Sequence, residues 1–357
     1  MKIGILGSGQ LAMMLAQAAQ KLEVSTEVFQ GNLSDVSALR DFCDRVDRIT
    51  YENENIPTKP LRASLKSRKQ CFPSLEILEI VSDRQSQKTF LQELQIPIAP
   101  MAAISQEEEV QSKALAIGLP GIFKSSRFGY DGKGQLRVKS PDELSQVWKG
   151  LGEVPLVYEK LIEFKRELSL VACRNTKGEC VFYPLVENSH REGILRKTLA
   201  PAPLCSPALQ ELAQSFAYKI FKAWDYEGIL ALELFEVGET LLVNEVASRV
   251  HNTGHWTLDG AETSQFENHL RAGLNWTLRS TKPLGLTAMF NLIGELPDLE
   301  EIKRRVPNSA VYLYGKDPRP LRKLGHINLN SSSESELESK TKQLEILLAL
   351  KGPEEPV

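Results

Sequence analysis

Cysteine is scarce. The 357 residues hold five, at 43, 71, 173, 180 and 205, odd in number and with no C-x-x-C spacing. That pattern excludes a disulfide framework and a four-cysteine zinc site, and fits reduced thiols in a cytoplasmic protein. No apolar run approaches the roughly 18 residues that a membrane span needs. Met1-Lys2 leads straight into a short apolar run and glycines, so neither a membrane partner nor a secretion signal is expected. A basic excess is also missing: the net charge is −3, which speaks against a nucleic-acid partner. There is no internal repeat, no G-x-x-x-x-G-K-[ST] phosphate loop and no H-E-x-x-H zinc motif. What remains is an ordinary globular composition, 42% hydrophobic and 25% charged, long enough for two or three domains.

The most informative stretch is Phe123-Lys124-Ser-Ser-Arg-Phe128-Gly129-Tyr130-Asp131-Gly132-Lys133-Gly134-Gln135. An apolar run from Leu119 feeds a lysine, and three glycines follow within six residues. Glycine lets backbone N–H groups approach an anion closely, and Lys124 and Lys133 add point charges suited to phosphate. The stretch reads as a lid over a polyphosphate or, more plainly, as a β-hairpin with glycine turns and exposed lysines.

Upstream, Lys2 to Leu6 is an apolar strand, Gly7-Ser8-Gly9 a turn, and Gln10 to Gln20 a helix with Leu11, Met14, Leu15 and Ala18 inward. This opens a Rossmann-like unit. A dinucleotide is disfavoured, because Gln30 and Gly31 stand where a ribose-binding acid should follow the strand Val24 to Phe29. The helix N-terminus still suits another phosphate, such as that of a sugar-phosphate. Glu52-Asn-Glu-Asn55 follows the strand Arg48 to Tyr51, at the sheet end where α/β folds bind ligands. Pro97 and Pro100 mark a linker.

Downstream, Leu156 to Ile162 is an apolar strand carrying Glu159, as an adenine slot needs, and Glu167 opens the next strand. An ordinary salt bridge is the plainer reading of each acid. Val181 to Val186 reads as a strand, with His190 in the loop after it. Ile229 to Phe235 and Thr240 to Val246 flank a turn at Glu236 to Glu239 and form a hairpin. Each strand places a carboxylate, Glu233 or Glu245, among aliphatics. Such a burial demands a counter-charge: with Asn244 adjacent and no cysteine or histidine beside them, Mg²⁺ shared with phosphate fits, and arginine is the alternative. Arg249-Val-His-Asn-Thr-Gly-His-Trp256 follows, rich in anion and hydrogen-bond donors. Lys316 to Lys323 places four cations on a proline-constrained turn between strands.

The order of these parts resembles the ATP-grasp ligases, which make an acyl phosphate from a carboxylate or carbonate and pass it to an amine. Seven motifs narrow the resemblance: Gly7-Ser-Gly-Gln-Leu11, Thr50-Tyr-Glu-Asn-Glu-Asn55, Asp83-Arg84 with Lys88, Phe128-Gly-Tyr-Asp-Gly-Lys-Gly-Gln135, Asn244-Glu245, Arg249 to Trp256 and Arg322-Lys-Leu-Gly-His326. Spread over nearly the whole chain, they are similar to the N5-carboxyaminoimidazole ribonucleotide synthase family of purine synthesis. The resemblance implies an α/β ATP-grasp fold, α+β in its ATP-binding part. A Rossmann-like domain would occupy 1–85, the ATP-grasp domain 86–275 with a lid at about 96–160, and a small C-terminal domain 276–357.

It also implies ATP contacts from Arg84, Lys124, Gly129, Tyr130, Asp131, Gly132, Lys133, Gly134, Gln135, Glu159, Lys160, Leu161, Ile162, Glu167, His190, Asn244 and Glu245. Glu233 and Glu245 would hold Mg²⁺, or Mn²⁺ in its place. The ribonucleotide would lie against Gly9, Gln10, Glu52, Tyr130, Asp131, Arg249, Lys316, Arg322 and Lys323, with Lys124, Asp131 and Arg249 closest to the chemistry. The substrates implied are ATP, bicarbonate and 5-aminoimidazole ribonucleotide, and the assembly a cytoplasmic homodimer. The chain departs from the family at Ala12-Met13, where members often read Gly-Arg. Another ATP-grasp ligase, or a nucleotide-binding regulator without catalysis, stays open beside this reading.

Overall fold

The computed structural model describes residues 1–129 and 134–348. Three parallel strands, β1 (Lys2–Leu6), β2 (Ser25–Phe29) and β3 (Arg48–Tyr51), form the first sheet in the order β2-β1-β3. Helix Gln10–Lys21 covers one face, and helix Val36–Arg45, capped by Asp35, covers the other. A second, antiparallel sheet contains β4 (Met101–Ile104), β5 (Gly121–Ser125), β6 (Gln135–Val138) and β7 (Leu156–Lys160) in the order β4-β7-β5-β6. The Gly-rich stretch joins β5 to β6, with Lys124 opposite Gln135.

The third sheet is the largest. Its strands are β8 (Arg166–Arg174), β9 (Cys180–Phe182), β10 (Val186–Arg191), β11 (Ile194–Ala200), β12 (Gly228–Val237), β13 (Thr240–Ala247), β14 (Leu286–Ile293), β15 (Ala310–Leu313) and β16 (Lys323–Ser331). They run β13-β12-β8-β10-β11-β14-β16-β15, with β9 added to β8. The β11–β14 pairing carries the sheet across residue 276, so the C-terminal segment shares a sheet with the middle region while keeping its own apolar cluster around Phe290, Ile302 and Leu344.

Two strand expectations change. The run Val181 to Val186 splits into β9 and β10 at Tyr183-Pro184-Leu185, where a proline lacks the N–H that a ladder needs. His190 therefore lies on a strand, β10, and not in a loop. β11 escapes sequence reading because Arg196, Lys197 and Thr198 interrupt its apolar residues.

The first sheet is docked firmly on the middle region. Ile3, Ile5, Leu11 and Met14 share one core with Val171, Ile229, Trp256, Phe266 and Leu270. Each such side chain contributes about 1.5–3 kcal/mol when fully buried. Arg48 crosses the same boundary, with Nη2 2.8 Å from both carboxylate oxygens of Glu227, Nη1 donating to the Gly273 carbonyl at 2.7 Å, and its guanidinium over the Phe72 ring. Gly273 fits there because it has no side chain: a Cβ would lie 2.2 Å from the buried Phe72 ring. Gly273→Ala is expected to cost about 1–3 kcal/mol by overpacking, read as a lower denaturant midpoint. An unchanged midpoint would mean that the Phe72 contact does not constrain the docking.

Candidate active site

The three sheets meet around one cleft of about 530 Å³. Its floor is the β12–β13 hairpin. Glu233 pairs directly with Glu245 and Leu234 with Val243, so Asn244 is the extra residue of a β-bulge. A bulge re-aims side chains, and Glu233, Asn244 and Glu245 all line the cleft. The expectation that the two acids are sunk among aliphatics is corrected here. Leu232, Leu234, Val243 and Val246 take the core face, whereas the Glu233 and Glu245 side chains are 27% and 46% exposed on the opposite one.

Burial first, and the Glu245 charge second, push the Glu233 carboxyl well above the usual carboxylate range. His251 Nε2 lies 3.6 Å from Glu233 but is no counter-charge: burial, then Arg249, holds its imidazole well below the ordinary histidine range and so neutral. Arg84 reaches Glu245 at 3.8 Å. Two facing acids and the Asn244 amide oxygen make a hard-oxygen set short of positive charge. Among the described residues no group of three or more His, Cys, Asp or Glu is arranged to hold a metal ion alone. A hard divalent cation shared with a ligand's oxygens suits the pair.

One wall is cationic. Lys124 on β5 donates to Glu159 Oε2 at 2.9 Å and lies 3.5 Å from Asn244 Oδ1. Arg84 opens the helix Arg84–Glu93, capped by Asp83. Its backbone N–H donates to the Ser126 carbonyl at 2.8 Å and its Nη2 to the Gly129 carbonyl at 3.4 Å, which fixes the start of the Gly-rich loop. Gly134 closes the loop at φ +70°, its carbonyl accepting from Ser125 N–H; it does not line the cleft, whereas Gln135 does. Tyr130, Asp131, Gly132 and Lys133 lie outside the described residues.

Glu159 does not stand ready to read a base edge, as its place on the strand suggested. Burial alone would raise its carboxyl, yet Lys124 and Lys88 together bring it down to about 2. Glu159 lines the cleft together with Lys160, Leu161 and Ile162, and Lys160 Nζ is turned to the Leu119 carbonyl at 2.7 Å. Glu167 on β8 and His190 on β10 form an ion pair. Burial opposes the imidazolium, and Glu167 overrides it, so the His190 pKa is raised.

The opposite wall comes from the first sheet. Glu52 accepts from Gly9 N–H at 2.5 Å and from Ala12 N–H at 3.0 Å. The N-terminus of helix Gln10–Lys21, expected to take a phosphate, is thus already satisfied by an internal carboxylate. Gln10 Oε1 accepts from Lys316 Nζ. Arg249 Nε donates to Glu54 Oε2 at 2.6 Å. Lys323 lines the cleft; Lys316 and Arg322 do not, and the Arg322 guanidinium is bonded to the Asp317 carbonyl at 3.0 Å. Of the run Arg249 to Trp256, Arg249, His251 and Asn252 reach the cleft. His255 and Trp256 are fully buried, and His255 joins Asn252, Tyr314 and His326 in a polar core that ties the C-terminal strands to this loop.

Comparison with known proteins decides the family. The ribonucleotide synthetase preATP-grasp domain matches residues 1–82, the ATP-grasp domain 89–266 and the phosphoribosylaminoimidazole carboxylase C-terminal domain 287–340. The chain is 38% identical to N5-carboxyaminoimidazole ribonucleotide synthase of Pseudomonas aeruginosa, covering 98% of this chain and 99% of that one. The chain belongs to the N5-carboxyaminoimidazole ribonucleotide synthase family. The crystal structure of the Thermus thermophilus synthetase superposes with a TM-score of 0.92, at 42% identity over 99% of this chain and 100% of that one. The Aspergillus clavatus synthase, crystallised with ADP and 5-aminoimidazole ribonucleotide, gives 0.90 at 29% identity over 98% and 99%.

The synthase fold brings in residues to which the sequence reading gave no role. Gln87 clamps β13 beside Glu245, its Oε1 accepting from Val246 N–H at 2.9 Å and its Nε2 donating to the Val246 carbonyl at 3.0 Å. Glu54 holds Arg249, and Lys88 sits behind Glu159. The signal available for Gln87 and Lys88 was helical spacing from Arg84, three and four residues on.

The raised Glu233 carboxyl has a thermodynamic sign. A group whose folded pKa exceeds its unfolded value destabilises the folded state increasingly as pH climbs from the unfolded pKa to the folded one. Glu233→Gln is therefore expected to raise the Tm of the ligand-free protein, more at pH 8 than at pH 5. A lowered Tm at pH 8 would refute the unmet charge at this pair.

Proposed function

We propose that the chain is an ATP-dependent ligase that carboxylates 5-aminoimidazole ribonucleotide with bicarbonate, giving N5-carboxyaminoimidazole ribonucleotide, ADP and phosphate in de novo purine synthesis. The observation that carries the reading is the single cleft in which the Lys124–Arg84 wall and the Glu233–Glu245 pair stand across from Gln10 and Arg249. The family relationship supports it over the chain's full length. No observation favours a different amine or carboxylate substrate, or a regulator without catalysis.

In this reading a bicarbonate oxygen attacks the γ-phosphorus of ATP and the bond to the bridging oxygen breaks, leaving ADP and carboxyphosphate. Lys124 and Arg84 offset charge on the phosphoryl group in flight. Mg²⁺, or Mn²⁺, fits the oxygens of Glu233, Glu245 and Asn244, because the facing acids lack a matching cation; when bound it would screen the phosphate charge there. Lys160, Leu161 and Ile162 border the nucleotide's base, and the Glu167–His190 pair its ribose. Arg249, steadied by Glu54, orients bicarbonate. Gln10, Lys316 and Lys323 face the ribonucleotide, with Asp131 as the proposed holder of its aminoimidazole. The exocyclic amine nitrogen then bonds the carboxyl carbon as the carbon–oxygen bond to phosphate breaks, or after that bond has broken to free carbon dioxide in the closed site, and the amine proton passes to the departing phosphate. Carboxyphosphate is labile to water, so the loop between Gly129 and Gly134 serves to exclude it. The division near 85 and 275, a homodimeric assembly and a cytoplasmic location belong to the same proposal and rest on the family alone.

Phosphate release from Mg·ATP in bicarbonate buffer tests it. Release should require 5-aminoimidazole ribonucleotide and match its consumption; release indifferent to the ribonucleotide would remove it as the substrate. Glu245→Gln should lower turnover by about two or more orders of magnitude without lowering the Tm. Turnover near that of the parent would take Glu245 out of the metal site.

A further inference from the structure

A fully buried lysine that touches no ligand surface needs a reason. Lys88 is 2% exposed, among the largest completely buried side chains of the protein, and it does not line the cleft. It projects from the helix Arg84–Glu93 one turn after Arg84, on the same face. Its Nζ lies 3.4 Å from Glu159 Oε1, while Lys124 Nζ takes the other oxygen, Oε2, at 2.9 Å. Glu159 is itself 4% exposed and Lys124 15%. Two ammonium groups thus share one carboxylate in a nearly dry setting, where charges are weakly screened.

The charge count of this triad matters more than its contacts. Without Lys88, Lys124 and Glu159 would cancel, and Lys124 would offer a hydrogen bond but no net charge. With Lys88 the triad carries one excess positive charge, and Lys124 is the cation of the three that lines the cleft. Burial pulls the Lys88 ammonium below the ordinary lysine range, while Glu159 pulls it back. As a structural fastening the arrangement is a poor choice, since a well-packed apolar side chain fastens at least as well as a buried ion pair.

We infer that Lys88 is a positioning residue that sets the charge of the nucleotide wall: by taking one oxygen of Glu159 it leaves the Lys124 ammonium with a net positive charge for the ligand's phosphates. The inference rests on the reading above, in which Lys124 faces the phosphates of ATP. It gives Lys88, which does not line the cleft, work that touches no substrate atom.

The test is charge rescue, with Mg·ATP as the probe and the full chain titrated at a temperature below every variant's Tm. The parent protein must bind Mg·ATP; if it does not, the functional reading itself fails. Given that binding, Lys88→Met should weaken Mg·ATP affinity by about tenfold or more, because the triad becomes neutral. The double variant Lys88→Met with Glu159→Gln restores the excess charge on Lys124 and should return affinity to within about threefold of the parent. A structural role predicts the opposite order, with the double variant at least as weak as the single one. Parental affinity in Lys88→Met, or no recovery in the double variant, would overturn the inference. Should Lys88→Met alone fail to fold, the double variant decides by itself: its one unpaired charge is Lys124, which opens to the cleft, and a tenfold weaker affinity than the parent would refute the charge role.

Discussion

Two carboxylates placed opposite one another on neighbouring strands are the constraint around which the cleft is built. Glu233 and Glu245 are direct partners in the β12–β13 ladder, where like charges repel. The hairpin holds them there because their neighbours along the strands, Leu232, Leu234, Val243 and Val246, are buried in the core on the opposite face. The Gln87 side chain further bonds both backbone groups of Val246, so β13 does not shift to separate the acids. The groups around the pair compensate its charge only in part. His251 is kept neutral by its surroundings, Arg84 stands 3.8 Å from Glu245, and His190 and Lys323 lower the Glu233 carboxyl less than burial and Glu245 raise it. The folded state therefore carries a local electrostatic strain. Apolar burial across the shared cores supplies the stability that tolerates it.

The sequence was most legible where a residue type can do few things. The glycine turn and amphipathic helix after β1, the β12–β13 hairpin and the Gly-rich connection between β5 and β6 all follow from periodicity and turn chemistry. Glu233, Asn244 and Glu245 stood out because polar residues inside aliphatic strands call for partners. The bulge at Asn244 was not legible, since register depends on side-chain packing across the strands and no local residue announces it. β11 and the true position of His190 were hidden for a related reason. The buried faces of β10 and β11 carry Asn188 and Thr198, hydrogen-bonded to each other, which breaks the apolar alternation by which strands are read.

Acids and histidines proved hardest to sort. Glu159 and Glu167 look alike in sequence, one closing an apolar strand and the other opening the next, yet one is locked between two lysines and the other pairs with a histidine. His251 and His255 share one short motif, but His251 faces the cleft, whereas His255 is buried against Asn252, Tyr314 and His326. What separates them is which side of the 3-10 turn at Asn252–Gly254 each one leaves, a tertiary fact.

The departure at Ala12-Met13 acquires a physical meaning once Glu52 is placed. Gly9 and Ala12 N–H groups both bond to its carboxylate, and a Cβ on Gly7 would lie 2.4 Å from the Glu52 side chain. The turn thus closes on its own acid, and Ala12 adds its methyl to the buried core beneath. Met13 packs against the same core, where an arginine would bring a charge. An anion entering this side of the cleft meets a satisfied helix N-terminus with a carboxylate on it. The positive groups near this wall are Lys323, which lines the cleft, and Lys316, which reaches Gln10 from the C-terminal segment. The Lys316–Gln10 contact joins the C-terminal segment to the first sheet across about 300 residues of sequence, and the β11–β14 pairing that carries the C-terminal strands in the large sheet helps hold that segment in place for it.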